Sequence, residues 1–131
     1  MQLDFRDEWL SNLAQRMQLR ELTFDPDGLC QFKLDQKFAI TIYKPANTSA
    51  LTLFGQVPVD FLSVDLIKQM LIENRNHANE AAPVLSLDEH AQAIEVHLKL
   101  SQEDLDSIED PLGLLVTCME YWYTQGCTHT S

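Results

Sequence analysis

The side chains best suited to catalysis or metal binding in this sequence are four histidines and three cysteines. His77, His90, His97 and His129 belong to no HExxH spacing and stand beside no paired cysteines. Those are the arrangements that set two ligands on one helix face or close a zinc site. His97 alternates outward on a strand and reads as a solvated side chain. Cys30, Cys118 and Cys127 form no CxxC pair, and an odd count does not make a disulfide framework. Cys30 reads as a small core hydrophobe. Cys118, within the last helix, and Cys127, on the tail, have no visible base that would activate either as a nucleophile. The run Glu103, Asp104, Asp106, Glu109, Asp110 lacks the alternating ligands and central glycine of a calcium loop, and a solvated helix face accounts for it. Turn chemistry alone explains Asp25-Pro26-Asp27-Gly28. There is no GxSxG, P-loop or GxGxxG, and four glycines leave little material for a phosphate cradle. The chain is therefore expected to have no catalytic residue, metal or cofactor and not to be an enzyme. A small enzyme or ligand-binding domain using His97 or the acids would need a pocket where two titratable groups converge.

Charge narrows the partners. Nine Lys and Arg against 20 Asp and Glu give a formal charge of −11. Such a field repels phosphate backbones and anionic membranes, so nucleic acid is not an expected partner. No apolar run approaches the roughly 18 residues of a membrane span, so no membrane insertion is expected. Three early acids, Asp4, Asp7 and Glu8, do not fit a secretory signal peptide. With the unpaired cysteines, these features predict a reducing, cytoplasmic location. A composition of 45% hydrophobic and 22% charged residues is that of a folded soluble protein. At 131 residues it predicts a single domain over 1–126, with 127–131 as a flexible tail.

The elements follow from periodicity. Phe5, Trp9, Leu13 and Met17 recur every fourth residue and predict a helix over 4–19, with Asp4 as N-cap. Leu22-Thr23-Phe24 reads as a short extended piece ahead of the turn at 25–28. Cys30, Phe32 and Leu34 share one face of a strand, and Phe38, Ile40 and Ile42 share one face of the next. The stretch from Leu51 to Asn76 divides the topology. It begins as a strand, is expected to break at Gly55 and Pro58, and restarts at Ser63 as an amphipathic helix over 63–77. Val84, Leu85 and Leu87 begin a further strand. Ile94, Val96, Leu98 and Leu100 alternate with Glu95, His97 and Lys99 as a half-buried one. Ser101 to Asp104 spells a capping box that opens a short acidic helix. Pro111 then starts a renewed helix that carries Leu112, Leu115, Met119 and Tyr123, with Gly126 as its stop.

The expected fold is α+β in the order α-β-β-β-α-β-β-α: an antiparallel twisted sheet with helices packed on one face and the other face partly open. Such a chain does not readily enclose all of Trp9, Phe24, Phe32, Tyr43, Phe54, Phe61, Trp122 and Tyr123. A small acidic protein with an open sheet face and apolar helix rows is built to bind another chain.

Taken together, these stretches resemble the class I type III secretion chaperones, the Tir-chaperone-like family. The resemblance spans residues 4–123. It is carried by the first helix closing on Met17-Gln18-Leu19 and by Leu22-Thr23-Phe24-Asp25-Pro26-Asp27-Gly28 leading into Cys30-Gln31-Phe32-Lys33-Leu34-Asp35. Leu51-Thr52-Leu53-Phe54-Gly55-Gln56-Val57-Pro58 ahead of the central helix belongs to it. So do Leu85-Ser86-Leu87-Asp88-Glu89, Ile94-Glu95-Val96-His97-Leu98 and Leu105, followed by a helix that ends near Trp122. It implies a cytoplasmic bacterial homodimer that holds the N-terminal segment of a secreted effector in extended, secretion-competent form, without turnover. The resemblance places the dimer seam at Leu66, Ile67, Met70 and Leu71. It places the effector patch at Phe5, Trp9, Leu13, Phe32 and Phe54. A regulatory module of the same fold, sequestering a partner such as a transcriptional regulator, is the alternative.

Overall fold

A computed structural model describes residues 5–18, 22–34, 38–60, 62–76, 83–108 and 110–127. Asp4, the expected turn at 35–37, Phe61, His77, Glu109 and the tail at 128–131 lie outside them. Helix α1 (Phe5–Arg16) precedes strands β1 (Leu29–Leu34), β2 (Phe38–Tyr43) and β3 (Leu51–Pro58). Helix α2 (Val64–Asn76), strands β4 (Val84–Asp88) and β5 (Ala93–Leu100), and helices α3 (Gln102–Ser107) and α4 (Pro111–Cys127) complete the order. The five strands form one sheet, β1-β2-β3-β5-β4, and every neighbouring pair is antiparallel. The α+β architecture is the expected one.

Alternation divides the sheet into two faces. Cys30, Ile42, Leu53 and Leu98 are matched across four strands, as are Ile40, Gly55, Val96 and Leu85 across theirs. This face meets Leu10 and Leu13 of α1, Leu66 and Met70 of α2, and Leu112, Leu115, Met119 and Trp122 of α4 in one buried cluster. Leu105 of α3 packs against the same cluster. Each leucine-sized side chain buried there contributes roughly 1.5–3 kcal/mol. The opposite face carries Thr41, Phe54, His97 and Lys99 and contributes nothing to that cluster.

Three local expectations change. The third strand does not break at Gly55 but runs through it to Pro58. A Cβ at Gly55 would collide with the thioether of Met119, so the glycine lets α4 approach the sheet rather than ending the strand. Gly126 does not stop the last helix, which continues to Cys127. Helix α1 ends at Arg16, short of residue 19, and Gln18 just beyond it has φ 55°. The starts of α2, α3 and α4 are as the sequence predicts. Ser63 Oγ accepts from the Leu66 N–H at 3.1 Å. Ser101 and Asp104 form the reciprocal capping box. Pro111 opens α4, and Asp110 Oδ1 accepts from the Gly113 N–H at 3.0 Å.

Candidate protein-binding surfaces

The effector-patch residues do not form one continuous patch. Phe5 and Trp9 are half-buried on one flank of α1, and Leu13 is buried. Phe32 is half-buried on the helix-covered face of the sheet, whereas Phe54 is half-buried on the opposite face. No single flat contact reaches both phenylalanines.

What the structure brings together instead is a cleft beside an open strand edge. Leu13 and Met17 of the α1 end, Leu34 of β1, and Leu112 and Val116 of α4 line a cleft of about 430 Å³. Its charged lining is Arg16 and Asp110. Helical spacing puts Phe5 and Trp9 on the flank of α1 that also carries Leu13 and Arg16. Beside the cleft, β1 is an edge strand. The Asp25 N–H donates to the Leu29 carbonyl at 2.8 Å, and the Leu29 N–H donates to Asp25 Oδ1 at 2.9 Å. The backbone groups of Leu29 therefore point away from β2, and by the two-residue period so do those of Gln31 and Lys33. Among the described residues, the groups of Gln31 and Lys33 meet no partner on that side. Gly28, at φ 83°, makes the turn that brings Asp25 back against this edge.

The seam residues divide between the core and the surface. Leu66 and Met70 are only 5% and 4% exposed and belong to the protomer core. Ile67 is half-buried, and Leu71 is 64% exposed. Leu71, Ile67 and Val64 form a stripe on the side of α2 next to β4, where Leu87 is also exposed.

Polar chemistry on the molecule is sparse. The imidazole of His97 stacks on Phe54, with centroids 5.5 Å apart, and its Nε2 shares a hydrogen bond of 3.0 Å with Ser86 Oγ. His97 is thus held rather than merely solvated. Among the described residues no carboxylate hydrogen-bonds His97, and the pair lies half-buried on the sheet face away from the core helices. Burial raises the thiols of Cys30 and Cys118, the second to about 11, which leaves neither a ready thiolate. Among the described residues no three His, Cys, Asp or Glu side chains converge as a metal cage. No described helix is long and apolar enough to cross a membrane.

Three contacts go beyond the reading of the sequence. Arg6 reads as a surface charge, yet it is buried against the loop between β2 and β3. Asp25 and Asn74 read as ordinary turn and helix-tail residues, yet each hydrogen-bonds the outer edge of a strand. The Arg6 and Asn74 contacts depend on tertiary placement that local spacing does not encode, whereas the Asp25 contact closes a local turn four residues long.

Known structures share this architecture. The ExsC–ExsE complex contains a chain that superposes with a TM-score of 0.82 at 22% identity, covering 99% of this chain and 100% of that one. The HopA1–SchA chaperone–effector complex gives 0.74 at 21% identity, covering 91% and 93%. The Yersinia pestis type III secretion chaperone SycH, solved with a stable fragment of YscM2, gives 0.67 at 14% identity, covering 90% and 97%. No curated protein matches the sequence significantly. The model of the Tir chaperone protein (CesT) family matches residues 8–123, nearly the whole folded chain. The sheet, its helix-covered face and this match agree: the chain belongs to the Tir chaperone protein (CesT) family, the class I type III secretion chaperones.

Proposed function

We propose that this protein is a homodimeric cytoplasmic chaperone of a bacterial type III secretion system. It binds the N-terminal segment of a secreted effector in extended form and keeps it soluble and secretion-competent, without turnover. The observation that carries this reading is the open β1 edge beside the apolar cleft. The outward groups of Gln31 and Lys33 offer main-chain hydrogen bonds to an added strand. Its alternate side chains would enter the cleft lined by Leu13, Met17, Leu34, Leu112 and Val116. Phe5 and Trp9 extend this surface along α1, and Phe32 supports it from β1. Phe54 serves the effector only where the segment wraps onto the far face. The charge of −11 favours basic segments and keeps the loaded complex soluble.

The dimer seam of this reading is the stripe Val64, Ile67 and Leu71 with Leu87. Leu66 and Met70 support it from inside the protomer. A second copy is the natural cover for an apolar stripe on an otherwise acidic protein.

Capture of the tagged chain from its native host, with mass spectrometry of what co-purifies, tests the function. The expected partner is a protein whose secretion stops when the gene for this chain is deleted and whose first residues suffice for capture. A partner that is never secreted would contradict the effector reading and identify a sequestering module of the same fold.

A further inference from the structure

The two edges of the sheet are not equivalent. At the β4 edge, the Leu85 N–H donates to Asn74 Oδ1 and the Leu85 carbonyl accepts from Asn74 Nδ2, both at 2.8 Å. The Asn74 amide thus presents the donor and acceptor that a residue of an adjoining strand would present. Backbone groups alternate along a strand. Those of Leu85 and Leu87 therefore point away from β5, while those of Val84, Ser86 and Asp88 point towards it. With Leu85 taken, Leu87 is the one residue of β4 whose outward groups meet no partner among the described residues. Asn74 cannot simply swing aside. It is half-buried in the last turns of α2, and that helix is anchored in the core by Leu66 and Met70.

An added strand makes its ladder through alternate residues, so it needs at least two outward positions in succession. The β1 edge offers Gln31 and Lys33. The β4 edge would offer Leu85 and Leu87 but for Asn74. Val84 and Leu87 are both exposed, so an unblocked β4 would be an apolar, hydrogen-bonding edge.

We propose that Asn74 closes the β4 edge against strand pairing, above all against β4 of a second copy, and so confines self-association to side-chain contacts. Closure of β4 stands on the Asn74–Leu85 geometry alone. Its corollary, that a partner strand is directed to β1, rests on the chaperone reading above.

The test is Asn74→Ala in the full chain, followed by light scattering and residue-resolved amide exchange. Edge-to-edge pairing gives particles of roughly double the wild-type mass at equal concentration. The Leu87 amide, which meets no partner among the described residues of the wild type, then exchanges about tenfold more slowly. Adding Val84→Lys, on the face of β4 away from the seam, puts a charge on the exposed edge strand, which disfavours edge-to-edge pairing and returns the particle to wild-type mass. If Leu85 exchange quickens while mass and Leu87 exchange stay unchanged, Asn74 is only an anchor for α2 and the proposal is overturned. Growth that Val84→Lys does not reverse overturns it equally. Should Asn74→Ala fail to fold by circular dichroism, Asn74→Ser is read the same way, since serine is too short to span both Leu85 groups.

Discussion

Arg6 carries a full charge and is nevertheless 5% exposed. Its Nη1 donates to the carbonyls of Pro45 at 2.9 Å and Ala50 at 2.7 Å, tying α1 to the loop between β2 and β3. Removing it leaves both carbonyls short of a charged donor. Arg6→Ala is expected to lower the unfolding free energy by about 3 kcal/mol, measured by urea denaturation. Arg6→Lys restores only part of that, because an ammonium lacks the planar fork. Cys118 makes a different residue-level prediction. Its thiol is raised from 9.0 to about 11, first by burial and further by the charge of Glu73, against a hydrogen bond with Trp122. The unfolded chain releases this proton near 9.0, whereas the folded chain holds it to about 11. The stabilisation from this group is therefore complete below pH 9.0 and lost as the pH rises to about 11. Cys118→Ala should flatten the decline of stability across that window.

At the scale of elements, Gly55 and Met119 join α4 to the centre of the sheet. Gly55→Ala inserts a methyl group where the thioether sits and is expected to cost about 1–3 kcal/mol by thermal or urea unfolding. Met119→Ala alone opens a cavity and costs about 2–5 kcal/mol. The double variant should lose less than the sum, because each change relieves the other. This contact also marks the limit of what the sequence reveals. Alternation and capping residues placed all five strands and the starts at Ser63, Ser101 and Pro111, since those signals are local. Gly55 reads locally as a breaker, and only the packing of α4 shows why the strand continues. The candidate surface was less legible. Phe32 and Phe54 are both aromatic strand residues, yet alternation counted through a turn puts them on opposite faces. Leu66, Ile67, Met70 and Leu71 form one apolar row in the sequence. Which of them faces outward depends on how α2 is rotated against β4.

For the whole molecule, that rotation separates folding from assembly. Met70→Glu places a charge in the protomer core and is expected to unfold the chain, with a loss of about 3 kcal/mol or more. Leu71→Glu alters an exposed position on the proposed seam. It should leave circular dichroism and thermal stability of the protomer intact while light scattering reports monomers. An unchanged dimer in Leu71→Glu would move the seam elsewhere. On the proposed function, a partner's N-terminal segment is held in extended form against β1. Amide exchange on this chain bound to the partner it captures reads that contact residue by residue. The Gln31 and Lys33 amides should slow on binding, with the partner's protected amides confined to its N-terminal segment. Unchanged exchange at Gln31 and Lys33, or protection confined to a folded domain of the partner, would contradict it.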